Sequence, residues 1–61
     1  MMAYLKTAIK RDYFLRMEAS KVEAQVVISK RIEGKGFEHV KTVPFTSRAA
    51  MRKFVNGYKP H

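Results

Sequence analysis

Tyr13-Phe14-Leu15-Arg16-Met17-Glu18-Ala19-Ser20, continued by Val22-Glu23-Ala24-Gln25-Val26-Val27-Ile28-Ser29-Lys30-Arg31-Ile32, is the stretch whose reading decides the fold. Its period is two. Tyr13, Leu15, Met17 and Ala19 alternate with Phe14, Arg16, Glu18 and Ser20. Val22, Ala24, Val26, Ile28 and Ile32 then share one face, while Glu23, Gln25, Ser29 and Arg31 take the other. Alternation of this kind marks half-buried strands, and Val, Ile, Tyr and Phe suit them. A helix through residues 12–25 would set Asp12, Arg16 and Glu23 in the middle of its apolar arc, which excludes it.

Turn chemistry on either side sets the expected boundaries. Ser20-Lys21 fits a tight turn between the first two strands, and Glu33-Gly34-Lys35-Gly36 fits a longer hairpin loop whose glycines tolerate positive φ. A third strand is expected from Phe37 to about Val43, ended by Pro44, which has no N–H to donate. Thr46 or Ser47 then caps a helix over residues 47–56, with Phe45 stapled onto Ala50 and Gly57 as its stop. Ala50, Met51, Phe54, Val55 and Tyr58 fall on one helix face, and Arg48 and Arg52 on the opposite one, with Lys53 at its edge. Met17 and Met51 read as core filler. Residues 3–11 fit two patterns: Leu5, Ala8 and Ile9 a short helix, Leu5, Thr7 and Ile9 a strand. The second, a strand or arm extending the first hairpin, is preferred. The expected class is α+β: a small three-stranded antiparallel sheet with one C-terminal helix on it and an extra element at residues 3–11.

Composition restricts what such a fold can do. The 61 residues hold 13 Lys plus Arg against 5 Asp plus Glu, a formal charge of +8, with two histidines and no cysteine. That length holds one small basic domain, residues 1–61, with 1–11 as an arm or added strand. A chain of about 60 residues buries only about 60% of its unfolded surface, so its core is thin. A hydrophobic share of 46% is too high for a disordered tail. Lys6, Lys10 and Arg11 interrupt any signal-like start, and no apolar run approaches the twenty or so residues of a membrane span, so a cytoplasmic setting without membrane is expected.

Catalysis is not expected. The one Asp and four Glu form no carboxylate pair that the sequence brings together, His39 has no nucleophile or orienting acid nearby, and His61 is terminal. Two distant histidines without cysteine do not make a metal site, and Gly34-Lys35-Gly36 is too short for a phosphate-binding loop, so no cofactor is expected.

The charge is unevenly laid out. Residues 1–11 carry Lys6, Lys10 and Arg11 with no acid; residues 12–38 balance five acids with five bases; residues 39–61 carry Lys41, Arg48, Arg52, Lys53 and Lys59 with no acid. Segregation of this sort points to an anionic partner. On the hairpin from Ile28 to Thr42, Lys30, Arg31, Lys35, His39 and Lys41 surround a glycine-bearing tip. If Val40 faces the core, His39, Lys41 and Phe37 share the outer face with Ser29, Arg31 and Arg16. Arginine and lysine there can reach phosphates and guanine edges, and an aromatic ring can stack on an unpaired base. The plainer alternatives are edge lysines that prevent sheet-to-sheet pairing, and a Phe37 that belongs to the core.

The order strand, strand, basic hairpin, strand, then Phe45-Thr46-Ser47-Arg48-Ala49-Ala50 opening an amphipathic helix, resembles the three-stranded DNA-binding domains at the amino terminus of tyrosine integrases and in plant ethylene-response regulators. The likeness covers residues 13–58 as a pattern. It implies a sheet lying in the DNA major groove, with Arg16, Arg31, His39 and Lys41 near bases. That family has a shorter middle hairpin and a second outer aromatic on its first strand, for which Phe14 is the counterpart here.

Two functions follow as expectations. The first is a non-enzymatic nucleic-acid-binding protein, DNA slightly favoured, making phosphate contacts through Arg16, Lys30, Arg31, Lys35, His39, Lys41, Arg48 and Arg52. The second is a small modulator, inhibitor or adaptor that sets a basic face on an acidic protein, with the apolar start (Met1, Met2, Tyr4, Leu5) available for pairing with another chain or for a homodimer.

Overall fold

A sheet whose first strand had no neighbour would leave the N–H and C=O groups of residues 13–19 unpaired along one side. The computed structural model, which describes residues 2–59, fills that side with a fourth strand. Met1 and His61 lie outside the described residues. The elements are β1 (Ala3–Lys10), β2 (Tyr13–Ala19), β3 (Ala24–Ile32), β4 (Gly36–Phe45) and α1 (Arg48–Gly57). The strands form an antiparallel meander in the order β1-β2-β3-β4. The α+β class with a C-terminal helix stands; the three-strand count is corrected to four, because residues 3–10 pair along the whole of β2.

The connections are short. Arg11-Asp12 joins β1 to β2 with Arg11 at φ 57, a left-handed conformation that costs a non-glycine residue about 1 kcal/mol. The Arg31 N–H closes this end by donating to the Asp12 carbonyl at 2.7 Å. Between β2 and β3 the turn is Ser20–Glu23, longer than Ser20-Lys21 alone: the Ser20 hydroxyl accepts from the Val22 and Glu23 N–H groups at 3.3 and 3.2 Å. Val22 therefore rides the tip, 83% exposed, and not the core face its parity suggests. Ser20 satisfies the backbone locally, which ends the ladder at Ala19↔Ala24. At the third turn Gly34 and Gly36 take φ 77 and 89, as their composition leads one to expect.

β4 departs from the expected strand in two ways. It extends to Phe45, with Pro44 opposite Gln25 in the ladder, so Pro44 does not end it. β4 lies at the sheet edge, where a missing N–H is tolerated. Lys41 pairs with Ile28 and His39 with Ser29, so Val40 is an extra residue, a β-bulge, and is 46% exposed where a core position had been expected. The bulge reverses the alternation: His39 and Phe37 take the face opposite the helix, and Lys41 takes the helix-bearing face with Ile28.

The core is one-sided. Leu15, Met17 and Ala19 of β2 and Ala24, Val26 and Ile28 of β3 are buried against Met51 and Val55 of α1. The Ser47 hydroxyl accepts the Ala50 N–H at 3.2 Å as the N-cap. Phe45 meets Phe54, ring centroids 5.3 Å apart, in place of the expected staple onto Ala50, which is exposed. Phe54, Tyr58 and Tyr13 continue this aromatic row, with centroid separations of 5.8 and 6.0 Å, and seal the helix against β2 and β4. Gly57 ends the helix without a left-handed φ; the Tyr58 N–H closes on the Val55 carbonyl at 3.2 Å.

Leu15→Ala removes a fully buried side chain and should destabilise by about 2–5 kcal/mol, as large as the whole stability of so small a domain, read by urea denaturation. Arg11→Gly should raise stability by about 0.5–1 kcal/mol in the same measurement, by relieving the positive φ.

Candidate nucleic-acid interface

Strand parity and the Val40 bulge distribute the predicted residues over two opposite faces. Arg16, Arg31 and His39 lie on the open face, away from the helix. Lys30 and Lys41 share parity with Ile28 and lie on the helix-bearing side, which Arg48 and Arg52 of α1 also occupy. Lys35 stands at the tip of the β3–β4 hairpin. All eight are exposed, yet the seven besides Lys35 form two groups back to back and not the single surface implied by placing Lys41 beside His39.

The helix-bearing side is the basic one. Lys6 and Lys10 of β1, opposite Met17 and Tyr13, join Lys30, Lys41, Arg48, Arg52 and Lys53 there; Glu38, opposite Lys30, and Glu23, which lines a hollow with Arg48, are acids beside them. Lys6, Arg52 and Asn56 line a cleft of ≈ 240 Å³ over Ala8, Met17 and Val55, and no carboxylate borders it. The Lys30 ammonium lies 5.9 Å from the centre of the Tyr13 ring. Lys6 and Lys10 were not singled out from the sequence as site residues. Their signal was the spacing of four residues, which places both on one face once residues 3–10 are a strand.

The open face is close to neutral and carries a built depression. Across β2, β3 and β4 one row reads Phe14, Ser29, His39, and the next reads Arg16, Val27, Thr42. The central residues Ser29 and Val27 are short, so the longer flanking side chains stand around them and leave a hollow of ≈ 470 Å³, which Thr7 also borders. Phe14 reaches across the short Ser29 to Phe37, centroids 4.6 Å apart in an edge-to-face arrangement. Phe37 keeps 59% of its surface exposed and is not a core residue. The Arg16 Nε lies 3.1 Å from a Glu18 carboxylate oxygen, and the other oxygen accepts from the Gln25 amide at 2.7 Å. His39 Nε2 and the Thr42 hydroxyl are 3.0 Å apart. Arg31, beside Phe37, shares the hairpin end with Asp12 and Glu33. Each open-face arginine thus has carboxylates near it.

Comparison of the chain with family models, with curated proteins and with solved structures finds no match. Among the described residues no three His, Asp or Glu side chains gather as a metal site, and no helix is long and apolar enough to cross a membrane.

Because Phe37 contributes little to the core, Phe37→Ala should leave stability within about 1 kcal/mol of the parent in urea denaturation, against the much larger loss at Leu15.

Proposed function

We propose that the protein binds nucleic acid through phosphate contacts made by its helix-bearing side, with Lys6, Lys30, Lys41, Arg48 and Arg52 as principal contributors. The observation that carries the reading is the one-sided charge: Lys6, Lys10, Lys30, Lys41, Arg48, Arg52 and Lys53 stand on that side against Glu38 and Glu23. A surface selected only for solubility mixes signs, whereas a polyanion rewards a continuous field of one sign through release of its counterions. The cleft between Lys6 and Arg52 supports the reading further, because two cations facing one hollow without a carboxylate suit a phosphate group. This use of the fold differs from the one implied by the three-stranded DNA-binding domains, in which the open face of the sheet meets the groove.

The test is fluorescence anisotropy of a labelled mixed-sequence duplex across a salt series. Micromolar binding at about 50 mM salt is expected, and if about six phosphates are neutralised the slope of log affinity against log salt is near −5. Lys6→Glu with Arg52→Glu should flatten that slope by about two, whereas Arg16→Glu with Arg31→Glu should change it by less than about one. Absence of binding at low salt, or a larger effect of the second pair than of the first, would overturn the proposal. A stoichiometric protein that stays bound after nuclease and high salt would favour an acidic protein partner for the same surface.

A further inference from the structure

We infer that the hollow over Ser29 and Val27 is a site for one unpaired nucleobase, stacked on Phe37 with its polar edge toward His39, Ser29 and Arg16. The inference deepens the nucleic-acid reading, on which it rests, by naming unpaired strand as the form of nucleic acid the open face takes. Four observations carry it. The Phe14–Phe37 pair meets at 62° and not face to face, and Phe37 keeps 59% of its surface exposed, which leaves ring area for a planar guest. Polar groups converge on the same hollow: Thr7 and Ser29 donate or accept, His39 does either according to its tautomer, and Arg16 donates. Arg16 is held in place by Glu18, itself anchored by Gln25, so its guanidinium is set before any ligand arrives. The near-neutral face suits an uncharged ring better than a phosphate, whose natural site is the basic side opposite. A base inside a duplex is stacked on both sides and cannot reach such a floor, whereas an unpaired one can. A second copy of the chain is the less fitting occupant: two-fold pairing would set concave floor against concave floor and leave the hollow unfilled.

The experiment compares a labelled oligothymidine single strand with the mixed-sequence duplex, using the parent protein and the variants Phe37→Ala, Phe37→Leu, Phe37→Tyr and Lys6→Glu/Arg52→Glu. Thermal melts confirm that each variant folds, and sedimentation reports the oligomeric state. Phe37→Ala should weaken single-strand binding about 5- to 100-fold and duplex binding less than about twofold. Phe37→Leu, which keeps apolar bulk but no π-face, should lose nearly as much, and Phe37→Tyr should restore the parent affinity. Equal losses on both ligands, or none on the single strand, would overturn the inference while leaving the phosphate reading standing. A parent dimer that Phe37→Ala converts to monomer, with single-strand affinity unchanged, would assign the face to a second copy and overturn it as well. A parent that binds neither ligand defeats both proposals. If the Lys6/Arg52 reversal is silent on both ligands while Phe37→Ala weakens the single strand, the base site stands and the helix-side reading falls.

Discussion

A single helix can cover only one face of a sheet, and everything else in this molecule follows from how α1 does so. Met51 and Val55 are the two helix residues buried deeply, and they meet Leu15, Val26 and Ile28 at the centre of the sheet. Ala19 and Ala24 at one end of that face are small enough to be covered without a second layer of large side chains. From that same end, where Phe45 lies opposite Ala24, the row Phe45, Phe54, Tyr58 and Tyr13 runs to the far end and closes the face with rings, each of which shields more area than an aliphatic side chain. Among the described residues none forms a layer over the opposite face, so its side chains answer to solvent more than to packing.

The footprint of the helix also explains where the charge collects. Lys6, Lys10, Lys30 and Lys41 occupy positions whose parity points to the core side, yet they lie at the margin of the buried cluster around Met51 and Val55 and not within it. Long aliphatic stems resolve that conflict: they lie along the margin of the apolar area while the ammonium stays in water. Lys30 over the Tyr13 ring is one such case. A basic rim around a one-sided core is therefore the outcome of filling core-parity margin positions with lysine, and the outward residues of α1 extend it. Glu38 opposite Lys30 and Glu23 near Arg48 interrupt it.

Much of this was legible in the residues. The period of two through β2 and β3, the glycine-bearing tip, the Ser47 cap and the Met51/Val55 stripe each have a local physical cause that leaves a mark in the chain. What was hidden has a common cause too: it depends on neighbours distant in sequence. The choice between strand and helix for residues 3–10 is made by the unpaired side of β2, not by Leu5, Thr7 and Ile9. Val22 is apolar and in phase with Ala24, and only the Ser20 hydroxyl turn takes it out of the ladder. The bulge at Val40 was invisible because both halves of β4 alternate properly on their own. One inserted residue therefore sent His39 and Phe37 to one face and Lys41 to the other. The expected site residues were individually exposed as anticipated, but their division into two faces needed the register.

The two bulges have a bearing on how molecules of this protein coexist at high density. One falls in β1 between Tyr4 and Lys6, the other in β4 at Val40, so one outer rim of the sheet is broken near its start and the other near its middle, and Pro44 removes a further donor from the second. Growth of a sheet from one molecule into the next requires a straight, regularly spaced row of free amide and carbonyl groups, and neither rim offers one. Crowded side by side, neighbouring copies would meet through side chains before they could template a shared β-structure.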